Sequence, residues 1–102
     1  MFVRVTPIRF DPSSLRFDPS RQAAVTDESR DIVLPLLKGL PGFRRYHGAV
    51  DSAQGTGLAI SYWETREQAQ AVSEAVRTIA PQLQTAGVEL SAASIYEVLV
   101  EG

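Results

Sequence analysis

Polar and apolar residues alternate in four separate stretches of the chain, a pattern typical of β-strands with one buried face. The alternation predicts strands over residues 2–10, 43–50, 58–64 and 89–100. Residues 51–57, which include the turn-forming residues Asp51, Ser52, Gly55 and Gly57, join the second and third stretches and predict a hairpin. The polar segment 11–20, which contains two Asp-Pro steps, is expected to be a loop.

Apolar residues at intervals of three and four predict two helices. The first starts within residues 20–27 and ends near residue 38, and Pro35 is expected to kink it or tighten its last turn. The second begins after Thr65, because Thr65 and Gln68 have the spacing of a capping box. Pro81 is expected to break or bend this second helix. Its predicted buried stripe consists of Ala69, Val72, Val76, Ile79 and Leu83.

The order strand–helix–strand–strand–helix–strand is the split βαβ pattern of ferredoxin-like folds. We therefore predict an α+β domain over residues 1–102, with two helices on one face of a four-stranded antiparallel sheet. Apolar residues occupy both faces of the first strand, since Phe2 and Ile8 lie on one side and Val3 and Val5 on the other. A second copy of the chain is expected to cover the free face in a two-fold homodimer. The alternative is a monomer with a few exposed hydrophobic residues.

The composition excludes several classes of function. Cysteine is absent, which excludes disulfides and thiolate chemistry, and a single histidine leaves only carboxylates for a metal, so no metal or cofactor is expected. A net charge of −2 gives no electrostatic footprint for nucleic acid or an anionic membrane. No apolar run approaches the roughly 20 residues of a membrane helix. Arginine outnumbers lysine and alanine is abundant, so we expect a cytoplasmic bacterial protein.

Two short blocks resemble a known family. Leu40-Pro41-Gly42-Phe43 has the form of a helix end that leads into a strand, and Tyr62-Trp63-Glu64-Thr65 has the form of a strand end that leads into a helix cap. Together they resemble the antibiotic biosynthesis monooxygenase (ABM) domain of the dimeric α+β-barrel superfamily. The resemblance implies a homodimer with a ligand cavity lined by the sheet. Members of the family include cofactor-free oxygenases of aromatic polyketides and quinols, haem-degrading enzymes, and many proteins of unknown role.

The site positions of that family match this chain only in part. Its quinone-forming oxygenases place an Asn four residues before the strand-end Trp and a Tyr six residues after it, where this chain has Ala59 and Ala69. Its haem degraders combine an Asn on the first strand with a Trp and a His on the second helix, and these are absent here. The resemblance therefore implies the fold with an altered pocket, and haem degradation is not expected.

Side-chain alternation along the third strand predicts where the pocket lies. One set of residues is bulky and suits packing against the helices: Leu58, Ile60 and Tyr62. The opposite set, Ala59, Ser61 and Trp63, places two small residues beside one indole. Such a combination suits a flat aromatic ligand.

The register of the hairpin decides which residues of the second strand lie on the same face of the sheet as Trp63. In the favoured register Arg45 and His47 share its face, whereas a one-residue slip puts Arg44 and Tyr46 there instead. His47 is the only histidine, and it is the candidate general base for a phenolic or C–H proton. Arg45 or Tyr46 is the candidate partner of a substrate oxyanion.

Two functions remain open at this point. One is a cofactor-independent monooxygenase of a small aromatic or polyketide-derived, quinol-type compound. Its predicted site has His47 as the catalytic residue and the following substrate-binding residues: Trp63, Arg45, Tyr46, Ala59 and Ser61. The other is a non-catalytic homodimer that binds a small hydrophobic molecule or acts as an accessory protein, with His47 and Arg45 on the strand surface and Trp63 in the core or interface. The alanines at 59 and 69 favour the second function, and the strand histidine favours the first.

Overall fold

One antiparallel sheet organises the computed structural model, which describes residues 1–10, 20, 23, 26–27, 29–85 and 87–102. Its strands are β1 Phe2–Arg9, β2 Phe43–Asp51, β3 Thr56–Trp63, β4 Glu89–Leu90 and β5 Ser94–Glu97. The strand order is β2-β3-β1, with β4 and β5 both paired to the remaining side of β1. The ferredoxin-like order is thus confirmed, and the fourth strand is divided in two.

The division of the fourth strand lies opposite Pro7. The pairing with β1 shifts by one residue between β4 and β5, so residues 91–93 form an irregular step. Pro7 has no N–H to donate to a ladder, although its carbonyl still accepts from the Ser91 backbone N–H at 2.9 Å. The shift turns Leu90 and Ile95, an odd number of residues apart, toward the same face. The prediction of one continuous strand over residues 89–100 is therefore wrong.

The helical segments are a π-helical turn Ser29–Val33, α1 Leu34–Lys38, α2 Arg66–Arg77 and α3 Ala80–Thr85. The capping box predicted for α2 is present, because the Thr65 hydroxyl accepts from the Gln68 N–H and the Gln68 side chain accepts from the Thr65 N–H. The break at Pro81 is also confirmed, with Pro81 in the first turn of α3, where no N–H needs a partner. The predicted start of the first helix, within residues 20–27, lies largely outside the described residues. No described helix is long and apolar enough to span a membrane.

The first helix widens before Pro35, where a kink or a tighter turn was predicted. The π-helical turn continues directly into α1, and Pro35 lies in the first turn of α1. In a regular α-helix the N–H of residue 35 would bond to the carbonyl of Asp31. Proline lacks that N–H, so the regular ladder is interrupted there and wider i→i+5 bonds precede it. The wider turn brings Ser29 and Val33 to the cavity described below.

A bulge at the start of β2 fixes the register of the hairpin. Phe43 pairs with Trp63 and Arg45 pairs with Tyr62, so Arg44 is an extra residue in β2. The extra residue reverses the facing of every later side chain in the strand, because side chains alternate between the faces.

Tyr46, and not His47, therefore lies on the face of Trp63. Beyond the bulge Tyr46 pairs with Ser61, whereas His47 pairs with Ile60. Arg45 and His47 project from the opposite face, so the favoured register is wrong and the alternative holds for Tyr46. The chain could not reveal this from alternation alone, since one inserted residue leaves the apolar pattern nearly unchanged.

The helices pack against the Trp63 face of the sheet. Trp63 is 0% exposed and lies in a core cluster with Leu37, Ala69 and Val72, and its ring meets Phe43 edge-on at 5.6 Å. A second cluster extends this core beneath α3: Ile79, Leu83 and Val88. Four of the five residues of the predicted stripe are thus buried, and Val76 is half-buried.

The bulky set of β3 does not pack against the helices, contrary to prediction. Leu58, Ile60 and Tyr62 lie on the opposite face, which we call the open face, together with Val3 and Val5 of β1. Leu58 is exposed and the other four are half-buried. The part of the open face on β1 and β3 is therefore apolar.

Candidate functional site

A cavity of about 560 Å³ lies between the Trp63 face of the sheet and the helices. Its size falls within the roughly 300–1,000 Å³ of ligand pockets. The walls come from the π-helical turn, α1, α2, α3 and the step at residues 91–93. Most lining side chains are apolar, among them Ile8, Val33, Leu37, Val72 and Val76. The cavity thus has the apolar, concave character of a small-molecule site.

Arg4 carries a positive charge into this apolar lining. It projects from the middle of β1, is 8% exposed, and donates from one terminal nitrogen to the Ala69 carbonyl of α2 at 3.1 Å. Burial lowers the pKa of the Arg4 guanidinium below its ordinary value. Among the described residues no carboxylate forms an ion pair with it.

Two further arginines form the exposed rim of the cavity, and each has a carboxylate partner. Arg30 is paired with Asp27 at 2.7 Å and with Asp31 at 3.1 Å. Arg77 is paired with Glu74 at 2.9 Å. Of the described lining residues, none is an aspartate, a glutamate or a histidine. The described lining therefore favours ligands with negative rather than positive charge.

A tyrosine–serine pair forms a second polar point of the lining. The hydroxyls of Tyr46 on β2 and Ser29 in the π-helical turn lie 2.8 Å apart. Burial raises the pKa of Tyr46, and the bond to Ser29 opposes this, so the phenol keeps its proton at neutral pH. Gly48 makes room for the pair, because a Cβ there would lie 3.1 Å from the Ser29 hydroxyl and 3.4 Å from that of Tyr46.

Ser61 forms a third polar point and separates Trp63 from the cavity. The indole N–H of Trp63 donates to the Ser61 hydroxyl at 2.8 Å. Ser61 lines the cavity, whereas Trp63 is fully buried behind it and does not. The hydroxyl that accepts from the indole has its own proton to offer to another acceptor.

The predicted site residues divide between the two faces. Tyr46, Ala59 and Ser61 line the cavity, which lies on the helix side of the sheet and not on the face away from the helices, where the sequence placed it. Their role in substrate binding stays a prediction. Arg45 and His47 lie on the open face and are exposed, with the His47 ring edge-on to Tyr62 at 6.2 Å. The placement of these two in the cavity was wrong because of the bulge at Arg44. Trp63, predicted as a substrate-binding residue or in the alternative as core, is fully buried in the core and does not line the cavity.

Arg4 and Ser29 are polar residues of the cavity that the sequence analysis did not select. Arg4 was visible in principle, since it shares a strand parity with Phe2 and Ile8, the residues that face the helices. An arginine between two apolar, half-buried positions is a signal for a buried charge. Ser29 gave no signal, because its position depends on the widened turn before Pro35.

No sequence-family model matches the chain, and no curated protein sequence matches it significantly. Solved structures do match over nearly the whole chain. HapK from Hahella chejuensis has a TM-score of 0.72 and 16% identity, covering 100% of this chain and 96% of that one. The haem degrader MhuD from Mycobacterium tuberculosis, solved with two haems in its active site, has a TM-score of 0.64 and 15% identity, covering 100% and 99%. The ActVA-Orf6 monooxygenase of Streptomyces coelicolor, solved with nanaomycin D, has a TM-score of 0.59 and 15% identity, covering 99% and 91%.

These likenesses confirm the resemblance at the level of fold. The chain has the ferredoxin-like fold of these solved structures. At identities of 16% and below, the likeness shows the fold and not the activity.

Haem does not fit the residues of this cavity. Haem iron is held in proteins by His, Cys, Met or Tyr. The single histidine lies on the open face, cysteine is absent and the single methionine is residue 1. Tyr46, the tyrosine in the lining, has its hydroxyl bound to Ser29. Nor do three or more His, Asp or Glu of the described residues come together as a metal site.

Proposed function

We propose that the chain binds a flat aromatic compound of the phenol or quinol class in this cavity and oxidises it with O₂ without a cofactor. The observation that carries this proposal is the largely apolar cavity of about 560 Å³ into which a few hydroxyls converge. Tyr46, Ser29 and Ser61 supply these hydroxyls. Such a lining holds a ring by apolar contact and orients its oxygens by hydrogen bonds.

The reaction needs no external reductant. When an anthrone is oxidised, the ring methylene becomes a carbonyl, one oxygen atom of O₂ stays on that carbon, and the other leaves as water with the methylene hydrogens. O₂ accepts all the electrons that the ring carbon gives up. The protein has to hold the electron-rich form of the substrate, exclude bulk water and orient the reacting carbon, which are positioning and electrostatic tasks.

The lining residues divide these tasks. Tyr46, kept protonated by burial, donates to a ligand oxygen and is itself oriented by Ser29. Ser61 is fixed by the Trp63 indole and offers a second hydroxyl. Ala59 leaves the space that the ring occupies. ActVA-Orf6 is a monooxygenase of the same fold, and its solved complex with nanaomycin D supports a ligand of this kind.

The catalytic role of His47 remains a prediction. The proposed reaction does not use this residue, because it lies outside the cavity. The His47 ring lies on the open face of the sheet, across from the cavity. We therefore expect the His47→Ala variant to retain oxygen uptake. Loss of uptake in a folded His47→Ala protein would restore the histidine as a base.

We also propose that the protein is a homodimer assembled through the open face. The part of this face on β1 and β3 is apolar and includes exposed Leu58, and Tyr96 pairs with Val3 next to it. Leu99 and Val100 are further exposed apolar side chains. A solved structure of the same fold is described as a dimeric ferredoxin-like protein, with a TM-score of 0.67. A face-to-face pair of sheets would bury these residues together. The cytoplasmic, bacterial setting stays a prediction.

The second candidate function is binding without turnover. Alanine stands at 59 and 69, where quinone-forming relatives carry polar side chains, and the described lining holds no acid or histidine to act as a general base. On this reading the same cavity holds the same class of ligand and releases it unchanged.

Oxygen uptake by the purified protein tests the proposal. A panel of anthrones, naphthols and hydroquinones is compared with enzyme-free buffer and with the Tyr46→Phe variant. We expect uptake above buffer, and about tenfold or more slower turnover in the variant, because a hydrogen bond to developing charge is lost. Tyr62→Phe makes the same chemical change on the open face and should leave turnover unchanged. A folded protein that binds the panel compounds but consumes no oxygen would decide for the binding function.

A further inference from the structure

The buried guanidinium of Arg4 is the feature of the cavity that the proposed function does not use. An arginine has five N–H donors in a planar fork and stays charged at physiological pH. Among the described residues, one of these donors has a protein acceptor, the Ala69 carbonyl. A residue that is 8% exposed has little water to satisfy the others.

We infer that the ligand of this cavity carries an anionic oxygen, a phenolate or a carboxylate, and that Arg4 binds it. This inference deepens the proposed function by naming the charge of the substrate. It rests on the proposed cavity but not on oxidation.

Burial of a charge without a counter-charge costs free energy, because the group loses its hydration and gains little in return. The arginines of the rim illustrate the ordinary solution, since Arg30 and Arg77 are exposed and each is paired with a carboxylate. Arg4 has neither exposure nor a described carboxylate partner. An anionic ligand would supply the counter-charge that none of the described residues provides to Arg4.

The donor fork of Arg4 is also held in place. Its bond to the Ala69 carbonyl fixes one terminal nitrogen against α2, and Arg4 pairs with Ser61 on β3, whose hydroxyl is held by Trp63. A cation and a fixed hydroxyl thus project from neighbouring strands into one cavity. A pre-oriented pair of this kind binds an oxyanion with a small loss of side-chain entropy.

The same arrangement bears on how the substrate loses its proton. The described lining holds no carboxylate or imidazole, so this described part of the cavity offers no ordinary base. A phenol bound against Arg4 becomes more acidic, since the adjacent cation favours its charged form. Its proton then leaves to solvent as the ligand binds, and the electron-rich phenolate remains in the cavity.

An alternative role for Arg4 is purely structural, as a tie between β1 and α2 through the Ala69 carbonyl. The two roles predict different behaviour. A tie stabilises the free protein and is indifferent to ligand charge. An anchor for an anion discriminates between ligands of the same shape and different charge.

Calorimetric titration with 2-naphthoate and 2-naphthamide tests the inference, because the two have nearly the same shape and only the first is charged. We expect the wild-type protein to bind naphthoate roughly ten- to a hundredfold more tightly, in the range of a hydrogen-bonded charge pair. In Arg4→Met this preference should disappear. Arg4→Lys, which keeps the charge without the fork, should retain part of it.

Arg66→Met is the matched control. Arg66 is an exposed arginine at the start of α2, beside the Phe2 ring and outside the cavity. Its replacement removes the same charge from the protein without touching the lining, so the naphthoate preference should remain. Thermal unfolding of each variant shows whether it is folded, and Arg4→Met without ligand should melt no lower than the wild type if the guanidinium is not a structural tie.

A chromogenic nitronaphthol separates phenolate from carboxylate binding. Its visible absorbance reports the ionised form, and we expect the wild-type protein to lower its apparent pKa on binding and Arg4→Met to leave it unshifted. Equal affinity for naphthoate and naphthamide, a preference that survives in Arg4→Met, or no binding of either ligand would overturn the inference. Charge-selective binding without oxygen uptake would keep the inference and overturn the oxygenase.

Discussion

At the scale of single residues, the cavity depends on small side chains. Gly48 leaves space for the Tyr46–Ser29 pair, and Ala59 faces the helices beside it from β3. Larger residues at either position would occupy the volume that a ligand needs. The cavity therefore depends on the small side-chain volume at Gly48 and Ala59 as well as on the polar groups that line it.

Filling this space gives a prediction at the residue scale. Ala59→Leu places a larger apolar side chain in the cavity, so ligand binding and any oxygen uptake should be lost. Thermal stability should be unchanged or slightly higher, because cavity filling adds apolar contacts. Ala71→Leu makes the same change at an exposed position of α2 and should affect neither. Retention of full binding by Ala59→Leu would show that the ligand lies elsewhere.

The sequence predicted some residues of the cavity correctly and misplaced others. Alternation along β3 correctly grouped Ala59 with Ser61 on a cavity face. Alternation misplaced His47 because the bulge at Arg44 inserts one residue into β2. The apolar pattern of β2 is too weak to reveal that insertion. The contact of Ser29 with Tyr46 depends on long-range packing, which no local pattern encodes.

At the scale of elements, the two blocks that carried the family resemblance contact each other. Gly42 accepts from the Glu64 N–H at 3.1 Å, and its missing Cβ leaves room for the Gln68 side chain that caps α2. Gly42 also has a φ of 80°, which favours glycine. These blocks therefore join a strand entrance to a helix start. Helix caps and turns were predicted well for this reason: their signals are short and local.

This contact predicts a coupling between two substitutions. Gly42→Ala should destabilise the fold by more than about 1 kcal/mol, because it adds backbone strain and displaces Gln68. Gln68→Ala alone should cost less, through the capping bond. In the double variant the clash between a methyl group at position 42 and the Gln68 side chain is absent. The loss of unfolding free energy should therefore be smaller than the sum of the two single losses by roughly 0.5–3 kcal/mol. Denaturant unfolding of the four proteins measures the cycle, and strict additivity would contradict the contact.

At the scale of the whole molecule, the sheet has one face that the helices cover and one that they do not. One face, with Trp63, forms the core and the cavity, and the other, with Ile60 and Tyr62, is left open in the single chain. The order of elements predicted this sheet correctly. It could not assign the faces, because both carry apolar residues and only the packing of the helices decides between them.

The open face predicts the oligomeric state. The wild-type protein should have the mass of a dimer in light scattering at micromolar concentration, and Ile60→Asp should have that of a monomer, because it places a charge in the buried interface. Gln70→Asp adds the same charge on the exposed side of α2 and should leave the dimer intact. A wild-type protein with monomer mass would contradict assembly through the sheet.

Trp63 gives the protein a built-in optical probe. It is the only tryptophan of the chain, it is sealed from solvent, and its indole N–H is held by a serine of the cavity wall. Its fluorescence should therefore be blue-shifted and slow to be quenched by acrylamide. A bound chromophore that absorbs in the near ultraviolet would take up the indole's excitation energy, so occupancy of the cavity can be followed by emission in the unlabelled wild-type protein.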